Sequence, residues 1–528
     1  MVAVALPARA ATSRLAALPY YWQAVIVIAL GSFMVFLNMT VVNVALPRII
    51  QVFQGTVGQG QLVLTSYMVA LAVVAPTSGY FSDTFGAKRT YLASVAMFTV
   101  GTALCGLSLS IESLIVFRVF QGIGGAMILP LGQAILFQVV PPEKRGTVMG
   151  IYGFPLLTAP MLGPAIGGYL VEFVDWRLIF AVGAPAGALA ILLGSAILRE
   201  LPLRPAGTFD WAGFILAGVG FSTALLGLSM APTEGWTSPP VLALGAAAAL
   251  ALPAFVIVEL AREHPMLDLR ILLNRTYSLA MVLTGITTIA MFSSMFLLPL
   301  FLQNTRGVGP LTTGLLLIPQ AATASLVMPI TGRLFDRFGP APLVVPGLFA
   351  LTYATWMLAG IDPDMSDGLL AVALVLRGIA MGTCMMPVNT VSMDSVPRPK
   401  IARAAALTNV LRQLFGAFGT CVFATLLADR QFYHQAMLAQ TINDTNISAV
   451  QMLSDTKLNL VGQGWTEANA DTAGLIVLAR QVRSSAAVHA YDDCFIVAAL
   501  VALVGVVPAL FLRRARRSAT APTGRQSR

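Results

Sequence analysis

Fourteen apolar runs, each long enough to cross a hydrocarbon core, follow one another through nearly the whole of this 528-residue chain. They lie near 22–46, 61–81, 90–110, 113–138, 147–171, 178–198, 210–230, 240–258, 276–303, 311–331, 342–361, 369–394, 406–428 and 491–512. A hydrocarbon core of about 30 Å needs about 20 helical residues, and backbone polar groups in lipid must be satisfied within the segment. The expected fold class is therefore an all-α membrane protein. With 57% hydrophobic and 10% charged residues, the chain has too little polar surface for a soluble globule. No short apolar core with a small-residue cleavage site precedes Trp22, so no cleaved leader is expected.

The formal charge of +9 comes from basic residues scattered singly and in pairs at run ends, which argues for topology rather than nucleic acid. Lys88, Arg89, Lys144, Arg145, Arg199, Arg204, Arg262, Arg270, Arg275, Arg333, Arg337, Arg398, Lys400, Arg403 and RRARR at 513–517 fall on the side of the termini. The opposite short loops carry Arg48, Arg177 and Arg306. An inner-membrane protein with both termini cytoplasmic is expected. Segment 429–490 is polar and reads as a long extracytoplasmic loop with some helical pieces.

Cys105, Cys384, Cys421 and Cys494 lie in apolar runs without metal-ligand spacing. His264, His434 and His489 read as separate loop residues, and no phosphate-binding glycine loop with Lys occurs. The expectation is a protein that is not an enzyme, with no catalytic residue, metal or cofactor.

An internal repeat organises the chain. GYFSDTFGAKR at 79–89 is echoed by GRLFDRFGPAP at 332–342, LIVFRVFQGIGGAMILP at 114–130 by LVLRGIAMGTCMMP at 374–387, and VVPPEKR at 139–145 by SVPRPKIAR at 395–403. Two six-helix halves are implied, at 1–200 and 276–528, with a helix pair and its connection inserted at 201–275. Parallel repeats of this kind place a substrate site at their interface near mid-membrane.

Polar side chains within apolar runs are the candidates for substrate or proton handling: Asn38, Asn43, Arg118, Gln121 and Asn389. A buried Arg is costly unless partnered. At 1.5 Å per residue, Asn38 lies about 13 Å and Arg118 roughly 8 Å from the outer end, so their side chains can meet. Snorkelling of Arg118 to the headgroups is the alternative. Arg377 reads as the repeat counterpart of Arg118, and Asp394 as a possible partner for Arg412. Asp83 and Asp336 sit at helix ends, where a carboxylate can pair with a cation or face a helix N-terminus and so bias a two-state gate. The alternative there is an ordinary tight loop that needs glycine. Gly163 and Gly167 share one helix face and allow close approach, while Pro160 and Pro164 permit a bend. Met381, Met385, Met386 and Met393, with Met291, Phe292, Met295 and Phe296, offer an adaptable surface that suits either a pocket or ordinary packing.

Taken in order, these motifs resemble the major facilitator superfamily and, within it, the fourteen-helix drug/proton antiporter branch of EmrB/QacA type. The resemblance implies a gate motif at Gly79, Asp83, Gly86, Lys88 and Arg89, repeated at Asp336, and an arginine motif around Arg118. It also implies an antiporter helix at Gly163, Pro164, Gly167 and Gly168, and a first-helix motif in FLNMTVVNVALP, where the family usually has Asp in place of Asn38. It further implies efflux of amphipathic drugs by alternating access, driven by a proton gradient. RQFYHQAML at 430–438 resembles pumps that work with a periplasmic adaptor and an outer-membrane channel.

Asn38 cannot titrate. Glu112, Glu172, Asp175, Asp362, Asp364, Asp367, Asp492 and Asp493 read as outer, and Asp83, Asp210, Asp336 and Asp394 as inner, with none at mid-depth. Three explanations stay open: a substitution holding the proton-loaded state, coupling through another acid such as Glu112 or Asp394, or a carrier coupled differently or not at all. Export of one endogenous metabolite or lipid, and a membrane sensor that has lost transport, are the rival functions.

Overall fold

The computed structural model describes residues 18–203, 207–263, 265–362, 365–441, 447–462, 464 and 466–512. His264, Arg204, Asp364, the cluster at 513–517 and the side chains of Pro160 and Pro164 lie outside what is described. Among the described residues, twelve helices are long and apolar enough to cross a membrane. The expected spans near 90–110 and 147–171 are helices of 20 and 29 residues that stand outside those twelve.

In the first part of the chain the helices are α1 (Tyr20–Phe53), α2 (Val57–Val74), α3 (Ser78–Phe85), α4 (Ala87–Gly106), α5 (Ile111–Val139), α6 (Arg145–Phe173), the single turn α7 (Leu178–Ala181) and α8 (Gly183–Ile197). The inserted pair is α9 (Trp211–Glu234) and α10 (Pro239–Ala261). Then follow α11 (Arg275–Asn304), α12 (Pro310–Phe338), α13 (Ala341–Met357), α14 (Asp367–Asp394), α15 (Ile401–Thr441), α16 (Ile447–Gly462), α17 (Glu467–Val504) and α18 (Val506–Leu510).

Local chemistry explains several boundaries. Thr56 with Gln59, and Ser110 with Ser113, form reciprocal caps that start α2 and α5. Asn274, Asp210 and Ser366 accept backbone N–H groups at the starts of α11, α9 and α14. Gly86, at φ +92°, separates α3 from α4, a conformation that side chains disfavour. Prolines such as Pro47, Pro130 and Pro387 stay inside long helices, where neighbours can satisfy the freed carbonyls.

Helix pairing follows the repeat. The contacts of α2 with α5, α4 with α5 and α1 with α6 recur as α12 with α14, α13 with α14 and α11 with α15. The most extensive contact among the described helices, α6 against α12, joins the two repeats, and α5 also meets α15 across them. From the insertion, α9 leans on both α2 and α15. Outward-facing Leu192, Ile215, Leu250 and Ile257 are exposed, as lipid contact requires.

The described part of segment 429–490 is largely helical, with the expected helical pieces longer than short loop turns. α15 runs on to Thr441 and α17 begins at Glu467, with α16 between them. His434 and His489 therefore stand on helices, with ring centroids 5.5 Å apart, and His434 Nε2 lies 2.8 Å from Asp493 Oδ2. Sequence spacing concealed this pairing because two antiparallel helices bring together residues far apart in the chain.

Candidate functional site: a buried arginine and a polar closure

Two polar assemblies occupy this apolar bundle. The first surrounds Arg118 on α5, which is 1% exposed and so does not snorkel. Its Nη1 donates to Asn38 Oδ1 at 2.6 Å and to Gln121 Oε1 at 2.7 Å, and its Nε donates to the Val63 carbonyl at 3.1 Å. Gln121 Nε2 donates in turn to Thr102 Oγ1 at 2.6 Å. The guanidinium lies 4.1 Å over the Tyr67 ring, which adds a cation–π attraction. Four helices, α1, α2, α4 and α5, thus converge on one cation. Among the described residues no carboxylate lies within ion-pairing distance of it.

The second assembly joins the repeats at the end carrying Asp83 and Asp336. Asp336, on α12, accepts from the Gly146 and Thr147 backbone N–H groups at 2.9 Å each and from Thr147 Oγ1 at 2.8 Å. It therefore caps the N-terminus of α6, where the helix dipole favours an anion. Gly332 makes this possible, since a Cβ there would overlap the Gly146 carbonyl. On the repeat-related side, Asp83 Oδ2 lies 3.5 Å from Arg403 Nη2, and Gly79 packs on the Arg403 side chain. Arg145 Nη1 meets Asp394 Oδ1 at 2.5 Å, tying α6 to α14.

The remaining candidates fall into place around these two. Lys88 does not reach across the closure, since its Nζ donates to the Ser195 carbonyl, and the backbone N–H groups of Lys88 and Arg89 donate to Glu200 at 2.9 and 3.3 Å. A Cβ on Gly86 would also meet that carboxylate. Asn43 is exposed, one face away from Asn38. Thr40 bonds back to the carbonyls of Phe36 and Leu37 and packs where Gly163 of α6 leaves room, while Gly167 sits against Val41 and Gly168 near Leu311 of α12. Asn389 has a buried Oδ1 without a partner. Met381, Met386 and Met393 are buried, and Met295 is 44% exposed.

Arg377 proves to be the counterpart of Gln121, not of Arg118. It bonds Thr355 Oγ1 at 3.0 Å and the Ala290 carbonyl at 2.7 Å, as Gln121 bonds Thr102. Neighbouring glycines agree, because Gly122 abuts Tyr67 and Ala70 while Gly378 abuts Gln320 and Thr323. The expected pairing of Arg377 with Arg118 is thus shifted by three residues, about one helical turn. For Arg412, Nε is buried without a partner.

Tyr67, Thr102, Ser32, Tyr152, Gln133 and Asn409 escaped the sequence reading. Ser32 Oγ and Tyr152 Oη lie 2.9 Å apart, and Asn409 Nδ2 of α15 reaches Gln133 Oε1 of α5 at 3.4 Å, across the repeats. Gln133 and Asn409 carry the same signal as Asn38, a polar residue within an apolar run.

The family model described as Major Facilitator Superfamily matches residues 28–420. An uncharacterized MFS-type transporter of Bacillus subtilis is 32% identical over 93% of this chain and 93% of its own length. A multidrug resistance protein B homolog of Mycobacterium tuberculosis is 33% identical over 93% and 90%, and the multidrug export protein EmrB of Escherichia coli is 28% identical over 87% and 91%. Among solved structures, the human organic anion transporter MFSD10 aligns with a TM-score of 0.59 at 16% identity, covering 93% of this chain and 100% of that one. The chain is a multi-pass membrane protein for secondary-active transport of small molecules, and it belongs to the major facilitator superfamily.

Proposed function

We propose that this protein exports amphipathic drugs or other small hydrophobic compounds by alternating access, with proton antiport as the driving exchange. The observation that carries the reading is the closure, in which Asp336 of one repeat caps α6 of the other and Asp83 faces Arg403. Contacts of this kind can break and re-form without repacking a core, as a two-state gate requires. The similarity to relatives named for multidrug resistance and export supports the choice of cargo.

In this reading α4 and α6 also cross the membrane, making fourteen spans arranged as halves 1–200 and 276–528 around the insertion 201–275. The Asp83 end faces the cytoplasm, because Lys88, Arg89, Lys144, Arg398 and Lys400 gather there. An adaptor and outer-membrane channel as partners rest on the 430–438 resemblance. Arg118 without a carboxylate favours a second reading, a carrier of one metabolite or lipid with altered proton coupling. Efflux assays over a compound panel in pump-deficient cells, with and without a protonophore, separate these. Several substrates lost on protonophore addition are expected, and no accumulation difference for any compound would sink the exporter reading.

A further inference from the structure

Two carboxylates of the inserted helices are buried beside the closure with too few donors. Glu259, near the end of α10, has no exposed surface. Its Oε2 accepts from the Leu267 N–H at 3.2 Å, but Oε1 has no partner. Asp210 caps α9 by accepting from Gly213 N–H on Oδ1 at 3.0 Å, and that oxygen lies 3.8 Å from Arg262 Nε. Its Oδ2 is likewise buried without a partner. A Cβ on Gly213 would stand 2.6 Å from Asp210 Oδ2 and 3.0 Å from Glu259 Oε1, so the two unpartnered oxygens flank the space this glycine leaves.

Asp210, the neighbour of Glu259, shares the lining of a small cavity with Tyr80, Phe209, Met266 and the gate arginine Arg403. The other charged groups facing the region are Asp83 on Arg403, the exposed Arg262, and Asp268, which holds Lys400 at 2.6 Å. Two neighbouring buried carboxylates repel, and one oxygen of each lacks a donor. One proton relieves both problems, lowering the charge and converting an acceptor into a donor. The cation that competes with that proton is Arg403, whose charge favours the ionised pair while it stays docked.

We propose that Glu259, buried beside Asp210, is a site for one proton, and that its uptake is linked to undocking of Arg403 and opening of the Asp83 end. By reciprocity, protonation of Glu259 weakens the docking of Arg403. This rests on the exporter reading only in requiring that the closure open.

The test uses spin labels at Thr84 and Arg337, both exposed at the closure, and measures their separation by pulsed electron resonance in nanodiscs across a pH titration, without substrate or gradient. The closed population of the labelled parent should fall as pH is lowered. Glu259→Gln, which mimics the protonated acid, should favour opening by about tenfold at high pH and flatten the response. Glu259→Asp should keep a response. A parent distance that does not change with pH, or a Glu259→Gln titration that matches the parent, overturns the proposal, and the first result needs no variant at position 259. A pH-dependent closure together with absent drug efflux would instead overturn the exporter reading and leave this one standing.

Discussion

Arg118 Nη1 donates to Asn38 Oδ1 at 2.6 Å, deep in an apolar bundle, and the partner is a neutral amide. The charge is dispersed over Val63, Gln121 and the Tyr67 ring rather than neutralised. Asp is nearly isosteric with Asn and would supply the missing counter-charge without repacking.

Asn38→Asp is therefore expected to change the dependence of transport on an imposed pH gradient in proteoliposomes. An identical dependence in both forms would remove position 38 from coupling. Asn38→Leu leaves a charged donor unmet at a cost of about 2 kcal/mol, to be read as a lower unfolding midpoint in detergent.

Because Arg377 stands where Gln121 stands in the other repeat, Arg377→Gln keeps a donor for Thr355 and should lower the unfolding midpoint only slightly. Arg118→Ala should abolish efflux while still inserting in the membrane. Normal turnover of Arg118→Ala would discard the network's role in transport.

Asp336→Ala deletes three hydrogen bonds to the start of α6. Bonds of a charged acceptor contribute about 1.5–3 kcal/mol each, so the closed state should lose at least about tenfold in population. Thiol labelling of a cysteine introduced at Thr331, buried next to Gly332 at the closure, would report this as faster modification, and an unchanged rate would count against Asp336 as part of the closure.

A methyl group on Gly163 would overlap Thr40, so Gly163→Ala should destabilise by about 1–3 kcal/mol. Adding Thr40→Ala should restore part of the loss, since the hydroxyl is the nearer obstacle. Thermal unfolding of the two single variants and the double variant measures the coupling. Strict additivity would mean that the contact does not limit packing.

The apolar runs, the basic residues at their ends and the 79–89/332–342 echo were legible in the chain because each is a local or repeated pattern. So were Asn38 and Arg118, since a polar group in lipid needs a partner wherever it lies. Glu259 was not legible: it falls just past an apolar run, where an acid looks solvated, and only the return of 265–268 over it completes its burial. The pairing of His434 with His489, the match of Arg377 to Gln121, and the choice of Arg403 as partner of Asp83 were likewise decided by packing. Periodicity and composition determine that helices form and which surface they hide. Which side chains then meet depends on helix crossings between residues hundreds of positions apart, and that information exists only once the bundle has assembled.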